Sequence, residues 1–446
     1  MRITKAQFKG IDQYKYSSID KSVLSRTVLA PWWNWLVTCF PMNLAPNASG
    51  ACRPDAAGMY VGQADPQITL LGLCFVFANV LTLLWFDPTY EGKDLPTWVY
   101  FSFAFGLFAY QSMDAIDGKQ ARRLGMGSAL GEMFDHGCDA INTSLEVVLA
   151  CHALGLNRSW WTVASETMTL LNFYASTWEE YHTGTLYLSE FSGPIEGIVI
   201  IVLIYLVTAI HPLHQHFWQQ PVVSLLPHAV TTLTENLDKA LGLSGTYSFS
   251  QIPLNITFMI FGAFGTGANI LNAYYNVIAA RLKEKKSALT PLLGLLPFGV
   301  HTAILVFWLQ AEVRGGVSIV HDGRLLPFLG YWGMAAAYQV SQLILAHVTK
   351  SPFPFWNGMM VYSLFGAIDA NAQWLFGRQP LVQNSPTAAN VFICMSFFVA
   401  LFNYFRFARE IIWQICEYTG IACFTVRKKD ANGQWVEAGE EIKKLQ

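Results

Sequence analysis

Four aspartates and a histidine fall within 26 residues of this chain, in the stretch DAIDGKQARRLGMGSALGEMFDHGCD from Asp114 to Asp139. Asp114 and Asp117 are three apart, so on a helix their carboxylates share a face. Glu132, Asp135, His136 and Asp139 follow at i, i+3, i+4 and i+7, again one face. Brought together, the two faces set four aspartate carboxylates around one point, where ionised groups in an apolar setting repel strongly. Divalent cations resolve that repulsion, and hard oxygen ligands suit Mg²⁺ or Mn²⁺, ions that commonly act on phosphate substrates. The spacer fits the same chemistry. Gly118, Gly125, Gly127 and Gly131, with Ala121, leave room for backbone or a flat base to approach closely. Arg122 can pair bidentately with a phosphate, and Lys119 adds a point charge beside it.

The elements that must position these groups are apolar. Of 446 residues, 53% are hydrophobic and only 13% charged, which is the composition of a polytopic membrane protein. A net charge of −2 argues against a nucleic-acid partner. The eight cysteines are scattered and form no CxxC pair, so they read as packing residues. A spanning helix needs about 20 mostly apolar residues. By that rule the sequence predicts an all-α fold of about ten transmembrane helices, near 68–87, 96–114, 128–156, 158–178, 196–210, 252–280, 289–309, 326–347, 354–376 and 387–413. The basic clusters, Lys119 with Arg122 and Arg123, Arg281 to Lys286, and Arg427 to Lys429, all fall on one side of that count. The positive-inside rule then places both termini and the acidic motif in the cytosol.

Three regions follow: a cytosolic segment over 1–67, a transmembrane domain over 68–413 and a cytosolic tail over 414–446. The first segment lacks the apolar core of a cleavable signal peptide. Two polar excursions break the even pattern. Residues 48–67 read as an inserted Gly/Ala/Pro-rich loop, and 211–251 as a lumenal loop whose VVSLLPHAVTTLTENLDKALGL could form a short interfacial helix interrupted by Pro227. Polar residues inside spans, Asn269, Asn272 and Asn276 at helical spacing and Asp369 with Asn371, read as glue between helices. Intramembrane carboxylates also mark ion pathways, so transport is the competing class. Broken helices and related halves, its usual signs, are not evident.

The pattern D-x2-D-G-x2-A-R-x8-G-x3-D-x3-D is met without a gap by Asp114, Asp117, Gly118, Ala121, Arg122, Gly131, Asp135 and Asp139. It resembles the signature of the CDP-alcohol phosphotransferases. The wording DGKQARR…LGEMFDHGCD, with TWEEYHTGTLYL, GPIEG and AHVTK further on, resembles the choline and ethanolamine branch and extends the likeness over nearly the whole chain. Residues 48–67 depart from the family, in which the Asn matching Asn47 leads directly into the first span.

The resemblance implies a single displacement at phosphorus, joining the headgroup phosphate of CDP-choline or CDP-ethanolamine to the hydroxyl of diacylglycerol and releasing CMP. Asp114, Asp117, Asp135 and Asp139 are then ligands of two Mg²⁺ (or Mn²⁺) ions, and Asn47, Gly118, Lys119, Ala121, Arg122, Gly131 and Glu132 are candidates for holding the CDP portion. His136, whose neutral imidazole has a reference pKa near 6.5, is the general base. Glu196 is the partner that orients it or receives its proton. His152, His301 and His347 read as packing or interfacial residues. The family likeness further implies an endoplasmic reticulum or Golgi membrane and a homodimer.

Overall fold

The computed structural model describes residues 2–40, 68–124, 128–188, 194–244, 248–313, 317–420, 427–429 and 435–437. The inserted segment, Asn47 and most of the tail lie outside them. The chain opens with α1 (Lys5–Asp12) and α2 (Ala30–Cys39), followed by the long helices α3 (Ile68–Phe86), α4 (Thr97–Arg123), α5 (Ala129–Ala153), α6 (Trp160–Thr183) and α7 (Pro194–Ile210). A short α8 (His228–Leu241) separates these from α9 (Leu254–Lys283), α10 (Leu296–Leu309), α11 (Leu325–Val348), α12 (Gly358–Ala370), α13 (Ala372–Phe376) and α14 (Pro386–Thr419). The apolar stretches are largely helical, but the one expected at 354–376 is irregular to Asn357 and divides at Asn371 into the short helices α12 and α13. Among the described residues four helical segments, Ile68–Phe86, Leu254–Lys283, Thr290–Leu309 and Pro386–Thr419, are long and apolar enough to cross a membrane by length and composition. Helices α4, α5 and α6, which carry the polar site residues, are not among those four.

Local chemistry sets the helix ends. Ser159 caps α6 by accepting from the Thr162 amide, and Gly184, at φ 70°, ends it in the left-handed conformation that glycine adopts at no steric cost. Ser385 caps α14 in the same way, with Pro386 in the first turn. Helix α4 runs past its apolar half into DAIDGKQARR, and Arg122 and Arg123 in its last turn complement the helix dipole.

Packing then carries α4 and α5 together. Helix α4 lies against α3 and α7, while α11 crosses α5, α6 and α14. Close approach of α5 and α11 depends on Gly333, where an added Cβ would stand 2.2 Å from Ser144 Oγ. Asn276 donates to Glu179 at 2.6 Å and Asn269 to Asn172 at 3.3 Å, joining α9 to α6 as interhelical glue. Asn371 donates to the Phe307 carbonyl at 2.8 Å, which joins the end of α12 to α10. Asp369 instead accepts the backbone amides of Leu381, Val382 and Gln383, so it orders a loop rather than a helix pair.

The first segment packs onto the bundle. Its strand β1 (Ser18–Asp20) pairs in parallel with β2 (Leu186–Leu188) after α6, and the Ile3 amide donates to Gln414 Oε1 at 2.7 Å on α14. In the second polar excursion a short helix forms as α8, with Pro227 at its N-cap rather than in its middle. Leu233, Leu237 and Leu241 leave an exposed apolar stripe on it. Helix α14 continues to Thr419, five residues beyond the start expected for the tail at 414, because its apolar spacing persists through Ile411 and Ile415, both buried.

Candidate active site

The two acidic faces converge. Carboxylate oxygens of Asp114 on α4 and of Asp135 and Asp139 on α5 all lie within 4.8 Å of one another. Asp114 and Asp135 each keep a buried Oδ1 with no hydrogen-bond partner among the described residues. Oxygen acceptors facing one another without a donor are a donor set suited to a hard divalent cation. Asp117 lies beside Asp135 and is held by Thr69 Oγ1 of α3, which donates to its Oδ2 at 2.7 Å. Asp139 Oδ1 accepts from the Tyr110 hydroxyl at 2.6 Å. Two of the four aspartates are thus oriented by neutral donors that leave other oxygens available.

His136 sits one turn along α5 and is 7% exposed. Its Nδ1 lies 3.1 Å from the Glu132 carbonyl oxygen. A carbonyl only accepts, so the bond assigns the proton to Nδ1 and leaves the lone pair on Nε2. That Nε2 faces Glu180 Oε2 of α6 at 3.8 Å, and the other Glu180 oxygen faces His347 Nε2 of α11 at 3.9 Å. Glu196 is placed differently from Glu180. Its Oε1 accepts from Ser22 Oγ at 2.5 Å, its Oε2 is buried without a partner among the described residues, and it is not among the carboxylates within 4.0 Å of His136.

These groups open on one cavity of about 1220 Å³. Every site residue anticipated from the sequence within the described chain lines it: Asp114, Asp117, Gly118, Lys119, Ala121, Arg122, Gly131, Glu132, Asp135, His136, Asp139 and Glu196. The wall has two characters. Lys15, Arg26, Lys119 and Arg122 supply positive charge, while Ile198, Ile201, Phe258, Met259 and Phe261 of α7 and α9 supply apolar wall. Lys119 is steadied by Asn34 Oδ1 at 2.9 Å, and Arg123 ties the same end of α4 to the Val37 carbonyl on α2. Gly262 and Gly265 of α9 also line the cavity, and an added Cβ at either would meet nothing within 4 Å.

Sequence reasoning missed Thr69, Tyr110, Glu180 and His347. Tyr110 had a signal, since 110, 114 and 117 follow i, i+4 and i+7 on one helix face. The adjacent acids Glu179 and Glu180 closing an apolar helix were a weaker one. Thr69 had none, because α3 brings it in from distant sequence, and His347, within AHVTK, reads as a packing or interfacial residue although α11 carries it to Glu180.

Residues 66–233 match the family model for CDP-alcohol phosphatidyltransferase. An uncharacterized class-I protein of that family from Schizosaccharomyces pombe is 38% identical, over 96% of this chain and 98% of its own length. The chain belongs to the CDP-alcohol phosphatidyltransferase family. Cholinephosphotransferase 1 of Saccharomyces cerevisiae is 34% identical over 80% of this chain and 81% of its own. Choline/ethanolaminephosphotransferase 1 of Arabidopsis thaliana is 31% identical over 95% and 97%. Enzymes of the CDP-alcohol phosphatidyltransferase family depend on a divalent metal, and the converging acidic oxygens are groups that could bind one.

Proposed function

We propose that this protein is a diacylglycerol choline/ethanolamine phosphotransferase. It transfers phosphocholine or phosphoethanolamine from the CDP-alcohol to diacylglycerol, giving phosphatidylcholine or phosphatidylethanolamine and CMP. One observation carries the reading: an acidic cluster and an imidazole share a single cavity, basic on one part of its wall and apolar on another. A charged nucleotide and a lipid hydroxyl can meet only in such a place. The named relatives, a cholinephosphotransferase and a choline/ethanolaminephosphotransferase, support the same chemistry.

In this reading the ten apolar helices cross an endoplasmic reticulum or Golgi membrane and the cavity opens to the cytosol, as the basic clusters after α4 and α9 favour. Asp114, Asp117, Asp135 and Asp139 would hold two Mg²⁺ ions, whose charge would offset that of the diphosphate and of the departing CMP. Arg122 and Lys119 bind the nucleotide phosphates, Gly118, Ala121 and Gly131 let it approach the backbone, and Glu132 and Asn47 complete its pocket. The apolar wall from α7 and α9 receives the acyl chains. His136 Nε2 takes the proton from the diacylglycerol hydroxyl as its oxygen attacks the headgroup phosphorus. The bond from that phosphorus to the CMP oxygen breaks, and CMP leaves with the electron pair. Glu196, fixed by Ser22, lines the cavity as the proton's further acceptor.

The test is CMP release by the purified protein in detergent, with CDP-choline and CDP-ethanolamine supplied singly and in competition. Release that requires both Mg²⁺ and diacylglycerol is the expected result, and the competition ratio assigns the headgroup. Release independent of diacylglycerol would reject the reading.

A further inference from the structure

Beside the aspartate cluster, α5, α6 and α11 bring together a second and chemically different set of donors. Glu132 is 8% exposed, and neither of its carboxylate oxygens has a hydrogen-bond partner among the described residues. Glu180 is 3% exposed. No lysine or arginine pairs with either carboxylate among the described residues; the only basic groups within 4.0 Å of Glu180 are His136 and His347. Ligand atoms of Glu132, Glu180 and His347 all lie within 4.8 Å of one another.

The spacing matters. Contacts of 3.8 and 3.9 Å between Glu180 and the two imidazoles are too long for hydrogen bonds. They are close to the separation that ligands keep around a shared tetrahedral ion, about 3.4 Å for metal–ligand bonds of about 2.1 Å. Two carboxylates with two neutral imidazoles carry a charge of −2, which one divalent cation cancels. Buried acids without partners are costly, so an occupant is energetically favoured.

We propose that Glu132, Glu180 and His347 form a second cation site, selective for a borderline transition ion of the Zn²⁺ class, whose occupancy silences His136. Selectivity follows from the donors: imidazole nitrogen with carboxylate suits Zn²⁺, whereas the all-oxygen aspartate cluster suits Mg²⁺. An ion held by Glu180 stands next to His136 Nε2 and takes up its lone pair or repels the incoming proton. The inhibitory part rests on His136 acting as general base. Binding stands without it.

The test uses the full-length purified protein saturated with Mg²⁺. Zn²⁺ retained after gel filtration is counted by mass spectrometry, and its ligands are read from the Zn absorption edge. One Zn²⁺ per chain with imidazole ligation is expected, weakened at least about tenfold in both Glu180→Gln and His347→Gln. Two separate variants guard against one that fails to fold. His347→Gln should keep its Zn²⁺-free turnover and lose inhibition by Zn²⁺. Equal Zn²⁺ affinity in both variants and wild type, or displacement of Zn²⁺ by Mg²⁺, would overturn the site. Zn²⁺ binding intact in a protein that releases no CMP would instead count against the phosphotransferase reading and leave the site standing.

Discussion

Replacing His136 separates binding from chemistry. In the structure Nδ1 is committed to the Glu132 carbonyl and Nε2 faces Glu180, so neither ring nitrogen belongs to the converging aspartate oxygens. Loss of the ring should therefore leave Mg²⁺ and CDP-alcohol binding within a few-fold of wild type. Removing a general base typically costs about 10²–10⁴ in rate, or about 2.7–5.4 kcal/mol of transition-state stabilisation at 1.36 kcal/mol per decade. His136→Ala also empties buried volume, so His136→Gln, which keeps the volume but cannot accept the proton, should lose as much kcat. Both are assayed by CMP release at saturating CDP-choline and diacylglycerol, with nucleotide affinity measured separately by calorimetry. Asp139→Asn should behave differently and weaken metal-dependent nucleotide binding as well as turnover. Near-normal kcat in both His136 variants, together with an Asp139→Asn protein that binds metal normally yet cannot transfer, would make Asp139 the base.

Three further outcomes are expected. Asp135→Asn removes one of the converging carboxylates and should cut transfer by about 10² or more with folding retained; Mn²⁺ binding followed by electron paramagnetic resonance checks it, and unchanged tight binding refutes the assignment. Excising 48–67, which joins Asn47 to Ile68, should preserve activity if that segment is an insertion, and a stably folded but inactive deletion would show that it has its own role. Burial pushes the Asp238 carboxyl upward, but hydrogen bonds from Ser248, Ser250 and the Phe249 amide win and hold it at about 2. Its depressed value means the anchor is fully present above pH 4 and lost as pH falls towards 2. Pepsin cleavage within 211–251, normalised to an unfolded peptide, should accelerate from pH 4 to pH 2 in wild type and be fast already at pH 4 in Asp238→Asn.

The acidic motif was legible because helical spacing alone puts Asp114 with Asp117, and Glu132 with Asp135, His136 and Asp139, on shared faces. The apolar stretches announced the long helices for the same reason, and Asn269 and Asn276 kept the gluing role that their place inside an apolar span implies. What escaped depends on crossings between helices far apart in sequence. Glu180 reaches His136 only because α6 packs on α5, and His347 reaches Glu180 only because α11 crosses both. Glu196, chosen as the partner of His136, lines the same cavity but makes no contact with His136 within 4.0 Å; its Oε1 is held by Ser22, next to the β1 strand that pairs with β2. Pro227 was taken to interrupt a helix it begins, since proline is unfavourable inside a helix but tolerated at its N-terminus.

The stereochemistry at the transferred phosphorus is the most direct test of a lipid hydroxyl attacking that phosphorus within this cavity. CDP-choline made chiral there by sulfur substitution is turned over with diacylglycerol, and the configuration of the phosphatidylcholine analogue is determined. One displacement, with His136 taking the proton and CMP leaving opposite the incoming oxygen, predicts inversion. Retention would require two successive displacements through a headgroup phosphate bound to the protein, and would contradict the direct transfer proposed here.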